Sequence, residues 1–142
     1  MALKHTKKHL KNGAPAQSTA PHLPGSKSSY NRGLFSEHLV HKYFKQQKYK
    51  LIKHRYKCPF TEIDLIFLSP KGRLLLVEVK TLNSMKNWPF FLISPNQIKR
   101  LRRGYVYFQS RSKIPVDFYL ALVLRSDEIK IVEDFLTFYK ES

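Results

Sequence analysis

Negative charge is scarce in this 142-residue chain. Residues 1–116 hold only Glu37, Glu62, Asp64 and Glu78, and the other six acids stand at or after position 117. Against ten acids there are 26 Lys and Arg, for a formal net charge of +16. That balance excludes an acidic, solvating chain and predicts attraction to polyanions, nucleic acid first and an acidic membrane surface second. Cysteine is nearly missing: Cys58 stands alone, so no intrachain disulfide can form, and a reduced, cytoplasmic protein is expected. Long hydrophobic runs are missing too. The greasiest stretches, LIFL, LLLV and LALVL, fall far short of the roughly 18 apolar residues of a membrane span, so no membrane association is expected. The N-terminal MALKHTKKHLKNG has charge but no apolar stretch behind it, which argues against a secretory signal.

Within that frame the chain divides in two. Residues 1–30 carry five Lys, three His, three Pro and no acid, with small polar residues between. Too little apolar surface is present to offset the entropy of ordering, so a disordered basic tail is expected there, with phosphate contact as its functional reading. From residue 31 the pattern is that of one domain. Phe35, Leu39, Val40, Tyr43 and Phe44 recur at helical spacing. Residues 49–56, 62–68 and 73–80 read as three strands, with Pro70, Lys71 and Gly72 supplying a turn. A second helix opens at Ser94-Pro95, where Ser94 as N-cap and Gln97 three residues later make a capping-box pattern. Residues 116–124 and 128–132 read as two further strands. The order αβββα followed by ββ predicts an α/β fold around a mixed sheet flanked by helices.

The few early acids fall in the wrong places for a merely structural sheet. The strands over 63–68 and 74–79 are apolar on both pleat faces, as strands covered on both sides are. Residues i and i+2 share a face, so Glu62 and Asp64 should point one way, and Glu78 and Lys80 one way, with Asp64 and Glu78 on a common face of neighbouring strands. Two carboxylates about 5 Å apart repel by roughly 3 kcal/mol at an effective dielectric near 20. A hard divalent cation removes that cost, and one or two carboxylates plus waters and a phosphate is how Mg²⁺ is held. Asp64 and Glu78 are therefore the candidate ligands for Mg²⁺ or Mn²⁺. Lys80, two residues on, is placed to act on the water or phosphate beside the ion. Glu37, at the edge of the first helix's apolar stripe, could look inward and complete the surroundings. Glu62 could hydrogen-bond a metal water from outside, or simply face solvent at the strand start.

At these residues a resemblance appears. GLFSEHLVHKYF on a helix, then EIDLI, then LLLVEVK, then a Q-x-x-R-L helix and the strand VDFYLALV resemble the PD-(D/E)xK nuclease superfamily. Within it the chain looks most like the YraN-like family, related to archaeal Holliday-junction resolvases, over about residues 31–135. The resemblance implies a restriction-endonuclease-like core in αβββαβ order, with Asp64 and Glu78 as metal ligands and Lys80 as the catalytic lysine. It also implies a site role for Glu37, which matches the acid of the first helix, and for Gln97, which falls where related nucleases often carry a glutamine or lysine. Thr61 departs from the pattern by standing where the family usually has glycine.

Several residues are candidates for substrate contact. Lys99, Arg100, Arg102 and Arg103 cluster on the second helix opposite its apolar positions and favour phosphate. Arg55 and His54 lie on the strand leading to the site. Trp88, Phe90 and Phe91 could stack on unpaired bases, or pack on the core or a second subunit. Asp117 opens a strand and reads as structural. The function expected is that of a metal-dependent endonuclease acting on phosphodiester bonds, in branched or structured DNA ahead of RNA, in a chain that could form a homodimer. The alternative is a non-catalytic nucleic-acid-binding module with the same fold, possibly RNA-associated.

Overall fold

Two helices cover opposite faces of one sheet because its inner strands are apolar on both sides. In the computed structural model, which describes residues 3–7, 27–83 and 93–139, the elements run β1 (Leu3–Lys7), α1 (Lys27–Gln46), β2 (Lys50–Lys57), β3 (Glu62–Leu68), β4 (Leu74–Leu82), α2 (Pro95–Arg111), β5 (Val116–Leu124) and β6 (Ile129–Glu133), followed by a 3₁₀ turn, Phe135–Phe138. The strands form one six-stranded sheet in the order β1-β6-β5-β4-β3-β2. Among the described residues only the β4–β5 pair is parallel, as a crossover through α2 requires. The sheet is thus mixed and the α/β order expected from residue 31 onward is the order observed, αβββαβ running from α1 to β5.

Packing follows the two-residue period of a strand. Along β5, Val116, Phe118, Leu120 and Leu122 join the cluster under α2 with Ile98 and Leu101. Ala121 and Val123 turn the other way, into the cluster under α1 with Leu39, Val40, Tyr43 and Phe44. On β4, Leu76 faces α2 while Leu75 and Val77 face α1. β3 breaks this rule at one place. Ile63 and Ile66 lie in the α2 cluster, whereas Leu65 and Phe67 lie in the α1 cluster. The alternation therefore slips across Asp64.

Local chemistry sets the ends of the elements. α1 stops in a Schellman arrangement: the Tyr49 amide donates to the Phe44 carbonyl and the Lys48 amide to the Lys45 carbonyl, with Lys48 in the left-handed region at φ 71°. α2 starts at Ser94, whose hydroxyl accepts the Gln97 amide at 3.1 Å, followed by Pro95 at the first helical position. Arg73 holds Asp117 by two hydrogen bonds of 2.7 and 2.9 Å, so Asp117 ties the turn before β4 to the start of β5.

Part of the N-terminal segment differs from expectation. Leu3–Lys7 pairs antiparallel with β6, Leu3 opposite Val132 and Lys7 opposite Ile129, and α1 begins at Lys27. The disordered tail expected over residues 1–30 does not hold for these two pieces. An added edge strand is held by backbone hydrogen bonds, which composition does not register.

α2 lies close against the turn that precedes β3. A Cβ built on Gly104 would meet Thr61 Cγ2 at 2.8 Å, with Cys58 Sγ at 3.6 Å. The helix needs a residue without a side chain there. Gly104→Ala gains about 1 kcal/mol of helix propensity but overpacks against a short side chain that cannot swing away, at about 1–3 kcal/mol. The variant should therefore unfold at a lower denaturant midpoint than wild type with an unchanged slope; Gly104→Ala combined with Thr61→Gly should recover the loss.

Candidate active site

Strand geometry brings the three residues of the expected site together. The β3–β4 ladder runs in register from Leu68–Leu74 to Leu65–Val77 and pairs no further. Continuing it would set Asp64 opposite Glu78. The strands part there instead, and the Asp64 carboxylate accepts the Val79 amide at 2.8 Å, doing with a side chain what the ladder does with a carbonyl. Asp64 is thereby aimed at β4. Glu78 is 4% exposed, and the two carboxyl groups lie within hydrogen-bonding reach of each other.

Glu78 is held from two directions. Lys80, two residues along β4 on the same face, places its Nζ 3.6 Å from Glu78 Oε2. Gln97 bridges both: its Nε2 donates to Glu78 Oε2 at 3.0 Å, and its Oε1 accepts from Lys80 Nζ at 3.2 Å. The backbone of Gln97 completes the Ser94 cap, but its side chain reaches into the site instead of back to the cap. The capping-box pattern visible in the sequence therefore understates what this residue does.

Burial dominates the electrostatics of the pair. Loss of water raises the Asp64 pKa, the Val79 amide opposes that rise, and the charge of Glu37 adds to it. Glu78 is likewise raised by burial first and by the neighbouring Asp64 second, with Lys80 pulling the other way. A buried carboxylate pair of this kind holds a proton between its members, or exchanges that proton for a cation.

Glu37 is also buried, at 7% exposure, and faces different partners. His54 Nε2 lies 2.6 Å from its Oε1, and Arg55 donates to both oxygens at 3.1 and 3.0 Å. Consecutive strand residues ordinarily point to opposite faces. Both reach one carboxylate here because Arg55 has φ 53°, a left-handed backbone that costs an ordinary residue about 1–2 kcal/mol. The β2–β3 register also slips by one residue between Leu51 and Lys53. Arg55 additionally lies over the Tyr30 ring, 5.3 Å from its centroid. Glu37 is near enough to raise the Asp64 pKa, yet among the described residues no group of three or more His, Cys, Asp and Glu side chains is gathered. The donor set at the site is the Asp64–Glu78 pair. That set fits a hard cation completed by water and phosphate, and does not fit one caged by protein alone.

The remaining candidates separate. Glu62 is exposed at the first position of β3, opposite Lys57, in contrast to the enclosed Asp64. Lys99, Arg100 and Arg103 are exposed on α2. Arg102 is turned inward, donating to the carbonyls of Leu136 at 2.6 Å and of Tyr139, so it anchors the C-terminal segment. Arg55 is committed to Glu37. Trp88, Phe90 and Phe91 lie outside the described residues. Gln97, expected at the site from the resemblance, reaches it; what the sequence did not show is that it bridges Glu78 and Lys80, nor the joint hold of His54 and Arg55 on Glu37, for which a left-handed arginine leaves no signal.

The family model for "Uncharacterised protein family UPF0102" matches residues 36–133. The chain belongs to UPF0102. This is the YraN-like family to which the sequence resemblance pointed, and the matched span holds Glu37, Asp64, Glu78, Lys80 and Gln97. A UPF0102 protein of Ehrlichia ruminantium is 40% identical over 81 residues, spanning 56% of this chain and 61% of that protein. One from Wolinella succinogenes is 30% identical over 105 residues, covering 72% of this chain and 94% of the relative. Among solved structures, the chain is similar to "crystal structure of a repair endonuclease from Pyrococcus abyssi", at 12% identity and TM-score 0.44, over 76% of this chain and 42% of that one. No helix among the described residues is long and apolar enough to cross a membrane.

The buried pair has a pH signature in the absence of metal. Both acids have folded-state pKa values raised above their unfolded ones, Asp64 to about 6. The folded state then binds protons more tightly, so the pair's contribution to stability is present below about pH 4 and is lost as pH rises through about 6 and beyond. In EDTA, wild type minus Glu78→Gln should show this loss between pH 4 and 8, on the order of 2 kcal/mol. Denaturant titrations at several pH values measure it, and parallel curves for the two proteins would contradict it.

Proposed function

We propose that this UPF0102 protein is a metal-dependent nuclease that hydrolyses phosphodiester bonds, with structured DNA the substrate to test ahead of RNA. The observation carrying the reading is the enclosed Asp64–Glu78 pair, bounded by Lys80 and Gln97, in a chain with only two other acids before position 117. A carboxylate facing a phosphate groove weakens simple binding. Two of them set together, Glu78 buried and Asp64 half-buried, are understandable where a cation is to be held.

Asp64 and Glu78 would hold Mg²⁺ or Mn²⁺. Bound there, the ion would supply Lewis-acid stabilisation of charge at phosphorus and a lowered pKa for water. The chain's own groups supply the rest. Lys80 presents an ammonium beside Glu78, where it can neutralise charge developing on a phosphate oxygen or orient water. Gln97 fixes Lys80 and Glu78 relative to each other, so that the ammonium does not collapse fully onto the carboxylate. Exposed Lys99, Arg100 and Arg103 on α2 give the phosphate backbone a positive track leading to that point.

Asp64→Asn and Glu78→Gln should each lower Mg²⁺-dependent cleavage at least 100-fold, while DNA affinity in EDTA holds or rises because a negative charge has gone. Lys80→Ala should lose cleavage to a similar degree yet retain divalent-ion binding by calorimetry. A panel of linear, nicked, flapped and four-way DNA and structured RNA, assayed in Mg²⁺ and Mn²⁺, decides the matter. Pure wild type that binds but never cuts any of them would make the protein a non-catalytic nucleic-acid-binding module.

A further inference from the structure

A second surface on α2 shares only Arg103 with the residues given a part above. The turn preceding β3 and the last two turns of α2 enclose an open groove of about 620 Å³, lined by Pro59, Phe60, Arg103, Val106, Tyr107 and Arg111 among others. Its floor is apolar and partly uncovered: Phe60 is 40% exposed and Val106 61%. Its rings are arranged rather than scattered. Phe60 meets Tyr107 edge to face at 6.1 Å between centroids, and the Arg111 guanidinium lies over the Tyr107 ring at 4.0 Å. Gly104 sets the spacing of the two walls, since a Cβ there would strike Thr61.

Charge limits what the groove can take. α2 carries Lys99, Arg100, Arg102, Arg103 and Arg111 and no acid, and residues 58–61 carry none either. A basic partner is therefore excluded. Flat apolar rings with guanidinium groups at the rim suit a planar aromatic group attached to an anion, which is the chemistry of a nucleotide. The two elements that wall the groove also carry residues of the candidate site. Gln97 lies ten residues before Tyr107 on the same helix, about 15 Å along its axis, and Asp64 follows the turn on β3. That distance corresponds to about four stacked nucleotides at 3.4 Å each.

We propose that this groove binds an unpaired nucleobase, stacked on the exposed Phe60 ring beside the Arg111-covered Tyr107, with its phosphate held by Arg103 and Arg111, on a strand whose neighbouring segment reaches the Asp64–Glu78–Lys80 site. The inference rests on the nucleic-acid reading above and sharpens it: the substrate has unpaired nucleotides near the point of attack. A fully paired duplex keeps its bases stacked inside and cannot fill the groove.

Binding of fluorescently labelled oligonucleotides in EDTA, by anisotropy, separates the two claims because no cleavage is needed. Wild type should bind a single strand and a blunt duplex of equal length. Phe60→Ala should weaken the single strand fivefold or more and the duplex less than twofold. Phe60→Leu, which keeps an apolar contact with Tyr107 but loses the flat ring, should lose in the same sense, and circular dichroism confirms that each variant is folded. Val106→Glu, an acid on an exposed position, should weaken the single strand about tenfold. If wild type binds neither nucleic acid, the functional reading fails and the groove assignment with it. If wild type binds but both Phe60 variants bind the single strand equally well, or lose single strand and duplex alike, the groove assignment alone is overturned. An equal loss toward polyglutamate would overturn it also, because the groove would then be reading acidic peptide and not a base.

Discussion

A single side-chain-to-backbone hydrogen bond, from the Val79 amide to Asp64, sets the geometry of the candidate site. Beyond Leu65 and Val77 the two strands no longer pair, and a buried amide left without an acceptor costs about 1–3 kcal/mol. Asp64 removes that cost only by turning its carboxylate toward β4. The same turn brings it against Glu78, and the slip in alternation between Ile63 and Leu65 lets the strand do so while both flanking residues stay buried. An arrangement that is poor electrostatics is thus enforced by good hydrogen bonding.

The surrounding charges then read as a response to that enforced pair. Lys80 and Gln97 attend to Glu78 from β4 and α2, while Arg55 and His54 attend to Glu37 from β2. Glu37 raises the Asp64 pKa, so the Arg55 guanidinium that holds Glu37 also screens it from Asp64. The left-handed backbone at Arg55 fits this account. It is a local cost of about 1–2 kcal/mol, borne where it places a guanidinium on the one buried acid that would otherwise add a third negative charge to the neighbourhood. Asp117, by contrast, is bound by Arg73 at the exposed edge of the structure and takes no part.

Much of this was legible in the residues, and the exceptions have physical causes. The doubly apolar strands over 63–68 and 74–79 gave away a sheet covered on both faces, and the acids inside them gave away the pair. Element order after residue 31 followed from periodicity and turn chemistry. What periodicity could not supply was the slip at Asp64, because a strict two-residue alternation also joins Glu62 to it, and Glu62 is exposed. Nor could it supply β1, which is held by backbone pairing, or the inward turn of Arg102, whose partners are carbonyls of the C-terminal segment. A solvated arginine and an anchoring one look the same in a sequence. Thr61 was visible as a departure from the family's usual glycine, but only the packing explains it: the methyl group sits where Gly104 of α2 leaves room.

That packing makes α2 the element on which the parts converge. Its first turn delivers Gln97 to the carboxylate pair, its middle carries the one glycine that lets it lie against the β3 turn, and its last turns carry the rings and arginines of the groove. A helix is stiff over this length, with 1.5 Å of rise per residue and little bending, so its contact at Gly104 fixes both ends at once. The distance between the groove and the carboxylates is then a property of the helix and not of any loop. A ligand that engages both would be measured along that fixed length.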